Sequence, residues 1–438
     1  SNDSTWEVAN INSGSYSSSR PGTYMSVLVG DTIYFSADDG STGHELWAHN
    51  TSNHSTWQVA DINSGSGGGA SGSFISMLVG DTLYFSANDG STGTELWAHD
   101  TSNHSTWRVA DINSGPASSS PGLNMEILIG DTLYFDATEG TGGNRELWAH
   151  DTSNHSTWQV VDVNPTGNGN VGNSMATLVG DTIYFSASDG STGTELWAHD
   201  TSNHSTWQAA NIASGSGSSM PGSTLELLVG DTLYFSATDL QSGQELWAHD
   251  TSNHSTWKAA DISSSGSGST PGQYMGLLIG DTLYFSANDG STGLELWAHD
   301  TSNHSTWQVD DINSGSGSSN PGNYMGLFIG DTLYFSANDG STGHELWAHD
   351  TSNHSTWQVD DLNSGSGRSN PGQYMELLVG DTVYFSADDG STGAELWAHR
   401  PSTIDYNTNT GGNVTTWAIN ASLPSGVSFG TNNGTIYG

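Results

Sequence analysis

The sequence predicts an all-β chain: an eight-bladed β-propeller of four-stranded antiparallel blades whose N-terminal strand closes the last blade. Three observations carry the prediction. The string Glu-Leu-Trp-Ala-His recurs eight times, beginning at Glu45, Glu95, Glu146, Glu195, Glu245, Glu295, Glu345 and Glu395. A spacing of about fifty residues is that of a propeller or repeat array. A second string, Ser-Thr-Trp, also occurs eight times, ending at Trp6, Trp57, Trp107, Trp158, Trp207, Trp257, Trp307 and Trp357. Finally, the two series are out of phase. The chain opens on a Ser-Thr-Trp with no Glu-Leu-Trp before it, and the last Glu-Leu-Trp, with Trp397, has no Ser-Thr-Trp after it. A ring uses that offset, because the first segment completes the last unit and removes an open sheet edge. Trp6 is therefore expected beside the strand of Trp397.

The unit from Tyr274 to Ile312 shows the four strands in order. Tyr274 to Ile279 is a short apolar run, and Gly280-Asp281 is a two-residue hairpin turn. Thr282 to Ala287 alternates and is rich in β-favouring residues, and the glycines of the following Asn288 to Gly293 loop suit positive φ. Glu295 to His299 is the third strand, and Thr306 to Ile312 the fourth. No stretch carries a 3.6-residue apolar period of helical length. One such unit cannot bury both sheet faces alone, but stacked units can. The two Trp of each unit are expected at those faces. A buried Trp removes about 200 Å² from water, worth about 5 kcal/mol before chain entropy is subtracted.

The composition narrows the partners. The 438 residues carry 47 acidic and 6 basic side chains, a formal net charge of -41. Nucleic acid is excluded as a natural partner by that charge. Most carboxylates must be solvated, hydrogen-bonded to neutral donors or bound to cations, and the excess is best tolerated in salty water. The chain has no Cys, so cohesion falls to packing and backbone pairing, with metal ions as a further candidate. No apolar run of about 18 residues occurs, so no membrane-spanning helix is expected.

With the first strand innermost, the first and third hairpins share one end of the ring. The Gly-Asp turns (Asp31, Asp81, Asp131, Asp181, Asp231, Asp281, Asp331 and Asp381) and the Asp-Thr-Ser-Asn-His-Ser loops then lie together. The Gly/Ser-rich connections, such as Asn313 to Gly322, fall at the opposite end.

The strings Asp281-Thr-Leu-Tyr-Phe-Ser-Ala-Asn-Asp-Gly, Glu295-Leu-Trp and Asp311-Ile resemble the ELWxxDGT repeat family over roughly residues 1 to 399. Asp300-Thr-Ser-Asn-His-Ser-Thr stands where that family has Asp-Gly-Thr. The resemblance implies a secreted or cell-surface protein with no established catalytic centre. Residues 1–401 are expected to form the propeller. Residues 402–438, with Tyr406, Trp417, Leu423-Pro424 and Gly434-Thr-Ile-Tyr-Gly438, resemble the first half of an immunoglobulin-like domain. Such sandwiches take about 100 residues. The segment is therefore expected to be completed by copies of the same chain or by adjacent segments of a longer one.

The candidate chemistry is repetitive. Asn53, Asn103, Asn154, Asn203, Asn253, Asn303 and Asn353 head Asn-His-Ser sequons at equivalent hairpins and are the candidate N-glycosylation sites, although Asn and Ser also favour such turns for structural reasons. Asp39 with Glu45, Asp89 with Glu95 and Asp289 with Glu295 place oxygen ligands close in sequence and are the candidate calcium residues, with no cofactor required. The strand glutamates need neutral donors because cations are scarce. His99 and His104 form a recurrent pair without a third recurrent transition-metal ligand. Departures from the repeat, Asp136 to Arg145 and Asn164 to Met175, read as loop drift rather than an acid, base and nucleophile, so no catalytic residue is assigned. The expected function is a non-enzymatic extracellular structural or adhesive module, a glycosylated subunit or segment of a surface or filamentous assembly. The alternative is a multivalent carbohydrate-binding, lectin-like propeller.

Overall fold

A computed structural model describes residues 5–14, 18–140, 142–264 and 266–401, with the backbone of 428–430 and 435–437. The described residues contain strands and no helix. Residues 26–399 form eight consecutive antiparallel sheets, seven with four strands and the eighth with three, a propeller-like arrangement. In the sixth sheet the strands are Gly276–Ile279, Thr282–Asn288, Leu294–Asp300 and Thr306–Asp310, paired in sequence order.

Two boundaries differ from the sequence reading, both for a hydrogen-bonding reason. The first strand starts at Gly276 rather than Tyr274 because Ser286 takes over the backbone there: its hydroxyl accepts the Tyr274 N–H at 3.0 Å. Its carbonyl accepts the Gly272 N–H at 2.8 Å. The fourth strand ends at Asp310 because the Ile312 N–H leaves the ladder for the Glu295 carboxylate, 2.9 Å away. Between them, Ile279 pairs with Thr282 across the Gly280-Asp281 turn. Gly280 supplies the φ of +58° that such a hairpin needs at its first turn position. The third and fourth strands carry a one-residue bulge: Leu296 faces Asp310 and Trp297 faces Gln308, with Val309 extra.

Seven apolar clusters join each sheet to the next. One rule generates them. The second strand sends alternate side chains to opposite faces, so Tyr34, Leu46 and Ala48 of the first sheet meet Leu83, Phe85 and Ala87 of the second. The deepest large side chains are the tyrosines and phenylalanines, including Tyr84, Phe85, Phe185 and Phe335. Trp occupies the margins of the clusters, half-buried at most positions and 39% exposed at Trp357. The indoles thus shield an aromatic core built from Leu-Tyr-Phe rather than forming its centre.

The expected ring closure is not seen. Residues 5–13 lie in no strand, Trp6 is 65% exposed, and among the described residues the eighth sheet (Glu376–Val379, Thr382–Asp388, Ala394–His399) has no fourth strand. Leu396 there is 64% exposed, whereas the equivalent Leu346 is 2% exposed. The expected immunoglobulin-like segment lies outside the described residues, apart from the paired backbone strands Ser428–Gly430 and Thr435–Tyr437.

Candidate functional site

The hydrogen bonds place the first and third hairpins of each four-stranded sheet at one end. In the second sheet the Thr101 N–H and hydroxyl both donate to the Asp81 carbonyl at 2.8 Å, tying the outer loop to the Gly-Asp turn. Asp100 then builds the loop around its own carboxylate. Its Oδ1 accepts from the Ser102 N–H at 2.8 Å and the Ser102 hydroxyl at 2.6 Å, and its Oδ2 from Asn103 Nδ2 at 2.6 Å. The Ser102 hydroxyl and then the Ser102 N–H draw the Asp100 carboxyl below its ordinary pKa. Asn103 Oδ1 accepts the Ser105 N–H at 2.9 Å, and His104 takes φ +63° to turn the chain back. The same pattern repeats around Asp151, Asp200, Asp250, Asp300 and Asp350. In the first sheet Asn50 replaces the aspartate, and the Ser52 hydroxyl reaches the Asp31 carboxylate at 2.7 Å. One end therefore carries seven exposed, internally hydrogen-bonded hairpins, six of them built around an aspartate.

The sequon asparagines sit in these loops. Asn103, Asn154, Asn203, Asn253, Asn303 and Asn353 each spend Nδ2 on the neighbouring aspartate at 2.6–2.7 Å. A glycan on Nδ2 would displace that charge-assisted bond. Asn53 is held instead through its N–H on Asn50 and its Oδ1, which accepts from Ser55.

The expected calcium residues each have another task. Asp39 Oδ1 closes its own turn by accepting the Thr42 and Ser41 N–H groups, both at 2.8 Å. Those bonds, the Thr42 N–H foremost, hold its carboxyl down at about 2. Asp89 and Asp289 make the same turn, and although burial opposes ionisation, their turn hydrogen bonds bring both down to about 2. Glu45 is fully buried and accepts the Ile62 N–H at 2.8 Å and the Gly69 N–H at 2.7 Å. Glu95 accepts the Ile112 and Ser119 N–H groups and the Ser119 hydroxyl, and Glu295 does so with Ile312 and Ser319. Burial pushes Glu45 and Glu295 up to about 7. The neutral donors that cation scarcity demanded are thus backbone N–H and Ser hydroxyl. Each Glu fastens the connection leading to the next sheet. Among the described residues no three His, Cys, Asp or Glu gather into a metal-sized group.

The third-strand histidines are a second buried series. His99 Nδ1 meets Thr106 Oγ1 at 2.8 Å, and its ring lies 5.3 Å from Tyr34 of the preceding sheet and 6.3 Å from His104. Burial, then the neighbouring His104, lowers His99 to about 4, so it is neutral at physiological pH. Loop histidines also bridge sheets, as where His254 stands edge-on to Trp207 at 5.9 Å.

The departure from the repeat at Asp136 and Arg145 is not loop drift, for the two side chains form a buried ion pair. Asp136 is fully buried, accepts the Asn124 and Met125 N–H groups at 2.9 Å, and contacts Arg145 Nη1 directly. Arg145 also donates to the Ser120 carbonyl at 3.0 Å. The signal was available: Asp136 replaces a Ser found at that place in the other seven sheets, in a chain with six cations.

No family model matches the chain, and no curated protein does. Among solved structures, it is similar to a Mycobacterium tuberculosis puromycin-hydrolysing peptidase at 11% identity, covering 84% of this chain and 58% of that one with a TM-score of 0.36. A prolyl endopeptidase is 11% identical, with 85% and 55% covered and a TM-score of 0.41. TolB from Acinetobacter baumannii is 13% identical, with 76% and 77% covered and a TM-score of 0.30. The chain spans less than two thirds of the length of the two peptidases. The neighbours named here are two peptidases and TolB rather than structural, adhesive or carbohydrate-binding proteins, so the expectation of a structural or adhesive module, with its lectin-like alternative, is set aside. At such identities and TM-scores the likeness assigns this chain neither an activity nor a substrate.

Proposed function

We propose that the chain is a propeller-type recognition domain, acting outside the cell, that docks a cationic polypeptide on its loop-bearing end. The carrying observation is the seven-fold recurrence there of exposed, internally braced hairpins paired with Gly-Asp turns. Rigid loops lose little conformational entropy on binding, and repetition lets a partner engage several at once. The charge agrees: with 47 acidic and 6 basic side chains, a basic segment is attracted from a distance and nucleic acid repelled. The partner's chemistry follows from the sign of that field. Lys and Arg side chains suit carboxylates that keep a free lone pair beside each turn.

The test is binding of a fluorescent oligolysine peptide to the full chain. Asp131, Asp181, Asp231 and Asp281 are exposed turn residues, so a variant with all four changed to Asn should weaken binding by at least about tenfold. A matched variant neutralises exposed Asp61, Asp111, Asp162 and Asp261, which follow the fourth strands at the other end, and should lose far less. Equal losses in the two variants, or no binding by the parent chain at low salt, overturn the proposal.

A further inference from the structure

We infer that the bare third strand of the eighth sheet is a strand-acceptor site whose occupant is residues 5–11 of the same chain, bound antiparallel in one register. The inference rests on the propeller reading but not on what the loop-bearing end binds. The acceptor geometry is repeated seven times. In the seventh sheet His349 faces Thr356, Ala348 faces Trp357, Trp347 faces Gln358, and after the bulge Leu346 faces Asp360. The eighth sheet presents the same string at Ala394–His399, and none of the described residues pairs beyond it. The matching donor string precedes the first sheet and lies in no strand. Superposing the repeat puts Thr5 opposite His399, Trp6 opposite Ala398, Glu7 opposite Trp397 and Ala9 opposite Leu396, with Val8 in the bulge.

Four independent features fit that register. Leu396, Leu377 and Val379 are 64%, 53% and 55% exposed, an apolar face that in every other sheet is covered by its successor. The first sheet offers the complementary face, and Ile11 already lies in a groove with Ile33 and Phe35, as Ile62 packs with Leu83 and Phe85. Asn12 reaches Gly40 as Asn63 reaches Gly90, so the segment leaves the first sheet along the path of a true blade connection. Lastly, Glu395 is exposed, whereas its seven equivalents are buried and accept backbone N–H groups two residues past the fourth strand and at the following Gly or Ser. Ile11 and Ser19 hold those places for Glu395. Both halves belong to one polypeptide, so closure within the chain has the advantage of effective concentration over capture of a second copy.

The register is testable because the chain has no Cys. The full chain carrying Thr5→Cys and His399→Cys should, on mild oxidation, form an intrachain disulfide, read as monomer on a non-reducing gel, loss of two hydrogens by intact mass and a 5–399 linked peptide. The parent pair His349 and Thr356 stand 3.0 Å apart between Nδ1 and Oγ1, within reach of a disulfide. A control joining Glu7→Cys with His399→Cys is two residues out of register and should cross-link at least about tenfold more slowly. Absence of the 5–399 bond, equal rates for the two pairs, or a bond found only between two chains overturns the inference. Oligolysine binding measured on the same protein reports separately on the loop-bearing end.

Discussion

At the residue level, two buried titratable groups on one strand respond to pH in opposite senses. Glu295 is pushed up to about 7 by burial, against 4.5 for the free side chain. The folded chain therefore holds more protons than the unfolded chain between those values, and this residue's contribution to stability falls as pH rises through the window. His299 is lowered to about 4 from 6.5, by burial and then by His304. The folded chain holds fewer protons there, so its contribution grows as pH rises from 4 to 6.5. The destabilisation caused by Glu295→Gln, relative to the parent, should accordingly shrink between pH 4.5 and 7, while that of His299→Gln should widen between pH 4 and 6.5. Urea titrations across the range measure both, and parallel trends in the two variants would contradict the assignment. Of these roles, that of Glu295 was legible: six cations cannot serve eight strand glutamates, so neutral donors had to be found. The His299 environment was not, because the covering Tyr234, 5.4 Å away, arrives from the preceding sheet.

At the level of the sheet, one unit shows what the repeat normally does with its second strand. Ser86 uses its hydroxyl to accept the Phe74 N–H at 3.0 Å. Asp136 fills the same place with a carboxylate, and its second oxygen calls for the Arg145 guanidinium. Removing one member of a buried pair leaves an uncompensated charge and costs about 3–5 kcal/mol. Arg145→Thr alone should approach that loss in chemical denaturation. Arg145→Thr with Asp136→Ser recreates the residues of sheet four, Thr194 and Ser186, and should recover most of it. A double variant as unstable as the single one would show that the pair does more than balance itself. The order of strands and the hairpin turns were readable from alternation and Gly-Asp chemistry. The ends of the strands were not, since Ser286 and Glu295 capture backbone groups through side chains that a strand pattern does not reveal. The Trp ladder misled in degree: its regularity marks the sheet-to-sheet margin, and the Leu-Tyr-Phe strings fill the centre.

For the whole molecule, the repeat specified eight sheets and their serial stacking, because each face of Thr82–Asn88 and its equivalents is apolar and must be covered. It also sorted the loops correctly by end, as the Thr101 to Asp81 bonds show. Closure is a longer-range matter, for no local rule fixes whether the segment of Trp6 pairs with the strand of Trp397. The same scale governs charge. Lys258, Arg108 and Arg145 find aspartates within 4 Å, but a net charge of -41 leaves most carboxylates facing one another through solvent. Compaction concentrates that repulsion, so salt should stabilise the fold by screening it. The Debye length falls from about 30 Å at 0.01 M salt to about 8 Å at 0.15 M, so the urea midpoint should climb steeply over that range in NaCl and flatten above it. Repeating the series in CaCl2 at matched ionic strength separates screening from binding. Coincident curves assign the effect to the collective field, as expected where the turn and strand carboxylates are already committed to N–H donors. A calcium curve lying well above the sodium curve would instead place bound cations among the exposed loop aspartates.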